Sequence, residues 1–157
     1  KKVKLLDLKK SEKRIKTAIK ASKENNNILI FARTDALSVG SIKESIKRAK
    51  MFKKLGAHAI FITGINTLRE IKLIKQNLKR IPLIINITQD IKFNISDIKK
   101  SDFKFILYSQ QLLNSYIDTV NATLKLIKNN KNPKFKNKAS DTLSLLNFKK
   151  YLSIENN

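Results

Sequence analysis

The feature that most constrains this fold is the alternation along the chain of short apolar runs with amphipathic helical patterns. The apolar runs predict four strands, at residues 28–32, 59–62, 83–87 and 103–107. Runs that are apolar at successive positions are typical of strands in a parallel sheet whose two faces are both covered. A helical pattern follows each run, and no turn signal predicts a hairpin. The sequence therefore predicts four successive βα units.

The predicted helices are marked by capping signals and by residues that end a helix. Ser41 and Thr67 are each followed three residues later by glutamate, which is the pattern of a capping box. Gly56 is expected to end the helix that starts after Ser41. The predicted helices cover residues 11–22, 42–55, 68–78, 96–100 and 111–128.

The chain is predicted to have two parts, residues 1–129 with the four βα units and residues 130–157 with a linker and a C-terminal helix. Residues 129–138 are polar, and residues 140–152 have the pattern of the last helix. A complete (β/α)₈ barrel takes roughly 250 residues, so four units make half of one. Because the chain begins with Lys1 rather than Met, we expect a fragment or a processed product.

The net charge of +22 suggests a nucleic-acid-binding protein, because clustered lysine and arginine displace counterions from phosphates. The basic residues, however, recur on the polar faces of helices throughout the chain, and only five of the 34 are arginine. Asparagine and isoleucine are also abundant, and compositional drift toward AT-rich codons explains all three residue types. We therefore do not expect nucleic-acid binding, and we keep a basic nucleic-acid-binding module as an alternative.

Cysteine content and hydropathy restrict the compartment and the kinds of site. The chain has no cysteine, which excludes disulfides, thiolate metal sites and a cysteine nucleophile within it. Its longest apolar stretches are far shorter than the ~20 residues of a membrane span. We expect a soluble, cytoplasmic protein without a membrane partner.

Three segments carry a resemblance to a known enzyme family. Residues 31–37, FARTDAL, resemble the strand-end signature of the methylisocitrate lyase and phosphoenolpyruvate mutase group. Residues 55–61, LGAHAIF, resemble the next strand entry, and residues 82–88, PLIINIT, resemble the Asn-Ile-Thr strand of the methylisocitrate lyases. The chain thus resembles the isocitrate lyase/phosphoenolpyruvate mutase superfamily. The resemblance implies the C-terminal half of a (β/α)₈ TIM barrel with a terminal helix.

The resemblance also implies a chemistry, which is the Mg²⁺-dependent retro-aldol cleavage of 2-methylisocitrate to pyruvate and succinate in propionate catabolism. The expected substrate is a small dicarboxylate or tricarboxylate, and Mg²⁺ is the expected cofactor. The family's Lys-Lys-Cys-Gly catalytic loop and its acidic metal ligands belong to the first half of the barrel and do not occur here. We therefore expect no catalytic residue and no metal ligand in this chain. We expect it to be a truncated or degraded lyase that is inactive alone.

Three residues are expected to bind substrate by resemblance: Arg33, Asn86 and Thr88. Each follows or ends a predicted strand, and active sites of such barrels lie at the C-terminal strand ends. The guanidinium of Arg33 can bind a carboxylate, because it can donate two parallel hydrogen bonds to the two carboxylate oxygens. Alternatively, Arg33 forms a structural ion pair with Asp35, and Asn86 and Thr88 cap the loop after their strand.

Four positions depart from the family pattern. Thr63 stands where the family usually has a glutamate, and Asn114 and Ser140 align with substrate-binding arginines. His58, the only histidine, aligns with a usual aspartate and is expected to pack near the bottom of the barrel. These departures weaken the expectation of full activity.

Three hypotheses for the function remain from the sequence. The first is an inactive remnant of a methylisocitrate lyase-like enzyme. The second is half of a split enzyme, completed by an N-terminal half-barrel from another chain or assembled as a homo-oligomer. The third is the basic nucleic-acid-binding module.

Overall fold

The computed structural model describes residues 4–24, 28–99 and 103–136, together with residues 141 and 144. The chain divides into two compact units, residues 1–112 and residues 113–157. The first unit contains the sheet, and the second contains most of the last long helix. The predicted boundary at residue 129 is not tested by this division and stays a prediction.

Helices and strands alternate along the described residues. In chain order the elements are α1 (Leu8–Glu24), β1 (Phe31–Thr34), α2 (Ile42–Lys54), β2 (Ala59–Ile62), α3 (Leu68–Asn77), β3 (Leu83–Asn86), α4 (Ile95–Lys99), β4 (Phe103–Leu107) and α5 (Gln111–Lys128). Three elements, β2, β4 and α5, have the bounds predicted from the sequence, which are 59–62, 103–107 and 111–128. In the part of the chain that is described, every helix is too short or too polar to cross a lipid bilayer.

The four strands form one parallel sheet in the order β1-β2-β3-β4. Arg33 of β1 pairs in register with Phe61 of β2, which pairs with Ile84 of β3. Ile84 in turn pairs with Phe105 of β4, next to an irregularity in the register. Because register partners point to the same side of a sheet, these four residues lie on one face.

The sheet is strongly curved around this face. β1 and β4 are the opposite edges, three strand spacings apart, which is about 14 Å in a flat sheet. The ring centroids of Phe31 in β1 and Phe105 in β4 are nevertheless 5.1 Å apart. Side chains of a flat sheet stand roughly perpendicular to it and could not meet. The first unit is therefore a partial barrel, and the predicted (β/α)₈ architecture is confirmed for its four parallel strands and the helices between them.

The hydrophobic core lies on the convex face, between the sheet and its helices. Ala32, Ile60 and Ile85 contribute from the strands, Phe52 from α2 and Ile74 from α3, and none is more than 3% exposed. Removing such apolar surface from water is the main force that holds helices on a sheet. The concave face differs, because Phe31 and Phe105 remain 43% and 44% exposed.

The first helix is attached to the second through a buried arginine. Arg48 of α2 donates hydrogen bonds to Glu44 Oε1 (2.7 Å), Ser11 Oγ (2.9 Å) and the Leu6 carbonyl (2.7 Å). Its side chain is only 7% exposed, and a buried charge is tolerated when its hydrogen bonds are satisfied.

The first helix starts earlier than predicted, because α1 begins at Leu8 rather than at residue 11.

The predicted start of the first strand is wrong. Residues 28–32 were expected to form it, but β1 begins at Phe31, and Ile28 and Leu29 are 60% and 61% exposed. The Ser22 hydroxyl donates to the Ile28 carbonyl, and the Ile30 N–H donates to His58 Nδ1. These side-chain partners take backbone groups that a strand would use for its ladder.

The two predicted capping boxes have different outcomes. Thr67 and Glu70 form a complete box, in which each side chain accepts from the backbone of the other residue. At Ser41 only half of the box forms, since its hydroxyl accepts from the Glu44 N–H. The Glu44 carboxylate is bound to Arg48 instead.

The second unit consists, within the described residues, of most of α5 and the segment after it. Asn130 has a positive φ of 54°, and the Lys131 N–H donates to the Leu126 carbonyl, which ends the helix. No described residue of α5 is buried. Of the predicted helix 140–152, residues 141 and 144 are helical, and the rest lies outside the described residues.

Candidate functional site

A polar cleft lies at the C-terminal ends of the strands on the concave side. It has a volume of about 430 Å³, and we call it the strand-end cleft. Its polar lining consists of Arg33, Asp35, Ser38, Thr63, Asn66, Asn86, Thr88, Asp90 and Ser109. Active sites in (β/α)₈ barrels occupy this end of the strands.

Arg33 is held in this cleft by two contacts. Its Nε donates to Asp35 Oδ1 at 2.9 Å, and its guanidinium carbon lies 5.4 Å from the centroid of the Phe61 ring. The register explains the second contact, because Arg33 and Phe61 are partners on adjacent strands. Cations at this distance from an aromatic face are attracted by its quadrupole. The side chain is still 59% exposed.

Asp35 connects Arg33 to the end of the second strand. Its Oδ1 also accepts a hydrogen bond from the Thr63 hydroxyl. Burial of the carboxyl raises its pKa, but the hydrogen bonds from Thr63 and Arg33 and the charge of Arg33 lower it by more. The pKa of Asp35 is therefore below its ordinary value, and the group is ionised at neutral pH.

The loops after the first two strands are packed closely where Thr63 and Ser38 meet. Thr63 Oγ1 lies 3.2 Å from Ser38 Oγ, and the Thr63 N–H donates to the Thr34 carbonyl at 3.1 Å. Gly64 has a positive φ of 83°, and a Cβ there would lie 2.6 Å from Ser38 Oγ. Only glycine fits at this position.

Asn86 and Thr88 line the same cleft from the third strand. Asn86 is the last residue of β3, Thr88 follows two residues later, and both are half-buried. Asn86 Oδ1 is buried without a hydrogen-bond partner among the described residues. Such unsatisfied groups are uncommon in folded proteins, and each calls for an explanation.

The structure thus brings the three predicted site residues, Arg33, Asn86 and Thr88, together in one cleft; their substrate-binding role stays a prediction. The predicted ion pair of Arg33 with Asp35 is confirmed. The site prediction did not include four other polar lining residues, Ser38, Asn66, Asp90 and Ser109. All four lie within a few residues of a strand end, the only sequence signal that could have identified them.

The four positions that depart from the family pattern lie in different places. Thr63 lines the cleft, and Asn114 belongs to the second unit. Ser140 lies outside the described residues. His58 precedes β2, so it lies at the opposite end of the strands, and its Nδ1 accepts the Ile30 N–H.

The cleft does not by itself fit a Mg²⁺ ion. Mg²⁺ requires near-octahedral oxygen coordination that includes one or two carboxylates. Asp35 already binds Arg33 and Thr63, and Asp90 is the other lining carboxylate. The described part of the chain has no group of three or more His, Cys, Asp or Glu side chains that could hold a metal ion.

Comparison with known sequences identifies relatives that are lyases by name. The 2-methylisocitrate lyase of Shewanella oneidensis is 33% identical over 98 residues, which are 60% of this chain and 33% of that protein. The 2-methylisocitrate lyase of Halalkalibacterium halodurans is 27% identical over 104 residues, which are 64% of this chain and 34% of that protein. The matched part of the chain thus spans about a third of the length of these relatives.

Solved structures of the superfamily share the fold. A 2,3-dimethylmalate lyase gives a TM-score of 0.83 at 20% identity, over 96% of this chain and 55% of that one. An oxaloacetate acetylhydrolase in complex with oxalate gives 0.85 at 17% identity, over 98% and 55%. A phosphonopyruvate hydrolase in complex with oxalate and Mg²⁺ gives 0.79 at 19% identity, over 96% and 56%.

A family model described as phosphoenolpyruvate phosphomutase matches residues 1–128, most of the 157 residues. The predicted resemblance is thereby confirmed. The chain belongs to the phosphoenolpyruvate phosphomutase family.

Proposed function

We propose that this chain supplies the carboxylate-binding side of an active site that cleaves a carbon–carbon bond in a 2-methylisocitrate-like acid. The observation that carries the proposal is the placement of Arg33 in the strand-end cleft, beside Asn86 and Thr88. The names of the two curated relatives support the choice of a lyase. The oxalate complex of a structural neighbour supports a small carboxylate ligand.

Each of the three side chains has a distinct part in this proposal. The guanidinium of Arg33 binds a substrate carboxylate through a pair of charge-assisted hydrogen bonds. The amide of Asn86 and the hydroxyl of Thr88 bind the remaining carboxylate and hydroxyl oxygens. Retro-aldol cleavage develops negative charge on one product fragment, and fixed donors stabilise that charge as it forms. In the superfamily the bound Mg²⁺ supplies further charge stabilisation.

The proposal also requires a partner for the open sheet. β1 and β4 each pair with one neighbouring strand in the described sheet, and open edges present unpaired N–H and C=O groups. The concave face exposes Phe31, Phe105 and Leu107. We infer that four further βα units cover these edges and this face, either within one longer polypeptide or as a separate N-terminal half-barrel. Those units bring the acid–base group and the acidic metal ligands, so this chain alone is inactive.

Oxalate binding tests the carboxylate site without requiring turnover. Calorimetric or NMR titration of the chain with sodium oxalate is expected to show binding that Arg33→Ala weakens by about 10- to 100-fold, since hydrogen bonds to a charged group contribute about 1.5–3 kcal/mol. The matched control is Arg69→Ala, which removes an exposed arginine from α3. Equal affinity of Arg33→Ala and Arg69→Ala for oxalate would show that Arg33 is not the carboxylate-binding group.

A further inference from the structure

A chain of side-chain hydrogen bonds in the strand-end cleft ends on the guanidinium of Arg33. It runs from Ser38 through Thr63 and Asp35 to Arg33. The Thr63 hydroxyl has one proton, and its shortest contact is with the Asp35 carboxylate, which can only accept. The Thr34 carbonyl lies farther from the same hydroxyl, at 3.4 Å. With the Thr63 proton on Asp35, the Ser38 hydroxyl is the donor to Thr63.

The position of Asp35 on this guanidinium decides how a ligand can approach it. A carboxylate binds arginine either along the side formed by Nε and one terminal nitrogen or at the end formed by both terminal nitrogens. Asp35 occupies Nε at 2.9 Å, which closes the side approach. Among the described residues, Nε is the only nitrogen of Arg33 with a hydrogen-bond partner.

We propose that Asp35 and Thr63 are positioning residues, which hold the guanidinium of Arg33 so that a substrate carboxylate binds end-on to its two terminal nitrogens. The guanidinium carbon lies over the Phe61 ring, 5.4 Å from its centroid, and Asp35 holds the guanidinium at Nε. Thr63 is itself held by backbone, through its N–H on the Thr34 carbonyl. The inference deepens the proposed function and rests on it for the identity of the ligand.

The role of Thr63 follows from the geometry of its single hydroxyl. A carboxylate that accepts from Arg33 alone can rotate about its Cβ–Cγ bond, whereas a second donor on the same oxygen holds Oδ1 in place. Removing the hydroxyl is therefore expected to loosen Asp35 and, through it, Arg33. Asp35 remains ionised at neutral pH because its pKa lies below the ordinary value.

The test combines two measurements on the folded chain, with variants matched in shape. Thr63→Val removes the hydroxyl and keeps the volume, Thr63→Ser keeps the hydroxyl, and Asp35→Asn removes the charge. The first measurement is the rate of solvent exchange of the Arg33 Nε–H by NMR. The second is the dissociation constant for oxalate. Circular dichroism verifies folding of each variant, and Asp35→Asn keeps the test available if Thr63→Val does not fold.

We expect Thr63→Val to speed Nε–H exchange and to weaken oxalate binding by about five-fold, the equivalent of one ordinary hydrogen bond. Thr63→Ser should restore both values, and Asp35→Asn should exceed the effect of Thr63→Val. Unchanged exchange in both Thr63→Val and Asp35→Asn would overturn the inference, as would equal losses in Thr63→Val and Thr63→Ser. If the wild-type chain does not bind oxalate but exchange still depends on Asp35 and Thr63, the proposed function fails and the positioning pair stands.

Discussion

At the residue scale, Arg33 shows that two interpretations of one side chain can both hold. The sequence allowed either a structural ion pair with Asp35 or a carboxylate-binding role. The structure contains the ion pair, but it uses only Nε, so the terminal nitrogens stay available to a ligand. The sequence could place Arg33 at a strand end, but it could not predict the contact with Phe61, because that contact depends on the register between two strands.

The lowered pKa of Asp35 gives a pH dependence whose sign is defined. A carboxyl with a folded-state pKa below its unfolded value stabilises the fold at higher pH, and that contribution is lost as the pH falls through the folded pKa. Wild type should therefore be more stable than Asp35→Asn at neutral pH. Because about a third of the side chain is exposed (35%), the difference should be less than about 1 kcal/mol.

Chemical denaturation of both proteins across the acid range measures this difference. It should be constant at neutral pH, begin to shrink as the pH falls below the ordinary value of 3.8, and vanish once Asp35 is protonated in the folded state. A difference that does not change with pH would mean that the Asp35 charge plays no part in stability.

At the element scale, the helices and strands that the sequence predicted well are those with strong local signals. β2, β4 and α5 have the predicted bounds, because apolar runs and helical periodicity depend on neighbouring residues alone. The start of β1 was missed because side chains outside the apolar run bind the backbone before Phe31: Ser22 from the end of α1 and His58 from 28 residues beyond Ile30. The half-formed box at Ser41 has a local origin instead, because Arg48, four residues further along the same helix, binds the Glu44 carboxylate.

Arg48 is the residue on which the attachment of α1 to α2 depends most. Arg48→Ala removes donors from Glu44, Ser11 and the Leu6 carbonyl together. The contact with Ser11 is buried and the other two are partly buried, and acceptors shielded from water that lose a charged donor are costly. The free energy of unfolding should fall by about 2–4 kcal/mol, as measured by urea denaturation. Lys47→Ala, an exposed neighbour on the same helix, should change it by less than about 0.5 kcal/mol. Equal effects of the two substitutions would contradict this role.

At the scale of the whole molecule, the strand order and the curvature explain why an incomplete barrel can still present a site. The four strands pair in chain order, so their C-terminal ends and the loops after them are adjacent. The sequence predicted the parallel order from the βα alternation. The alternation alone did not predict the curvature; the resemblance to a barrel family implied it, and the contact of Phe31 with Phe105 across the concave face shows it.

The measurement that tests the proposed function most directly is turnover by a completed barrel. This chain would be coproduced with the N-terminal half of the Shewanella oneidensis 2-methylisocitrate lyase, and pyruvate formation from 2-methylisocitrate would be measured with Mg²⁺. We predict pyruvate only when both parts are present, a rate lowered at least about 100-fold by Arg33→Ala, and no effect of Arg69→Ala. Failure of the two parts to associate, a complex without turnover, or turnover that is insensitive to Arg33→Ala would contradict the proposal.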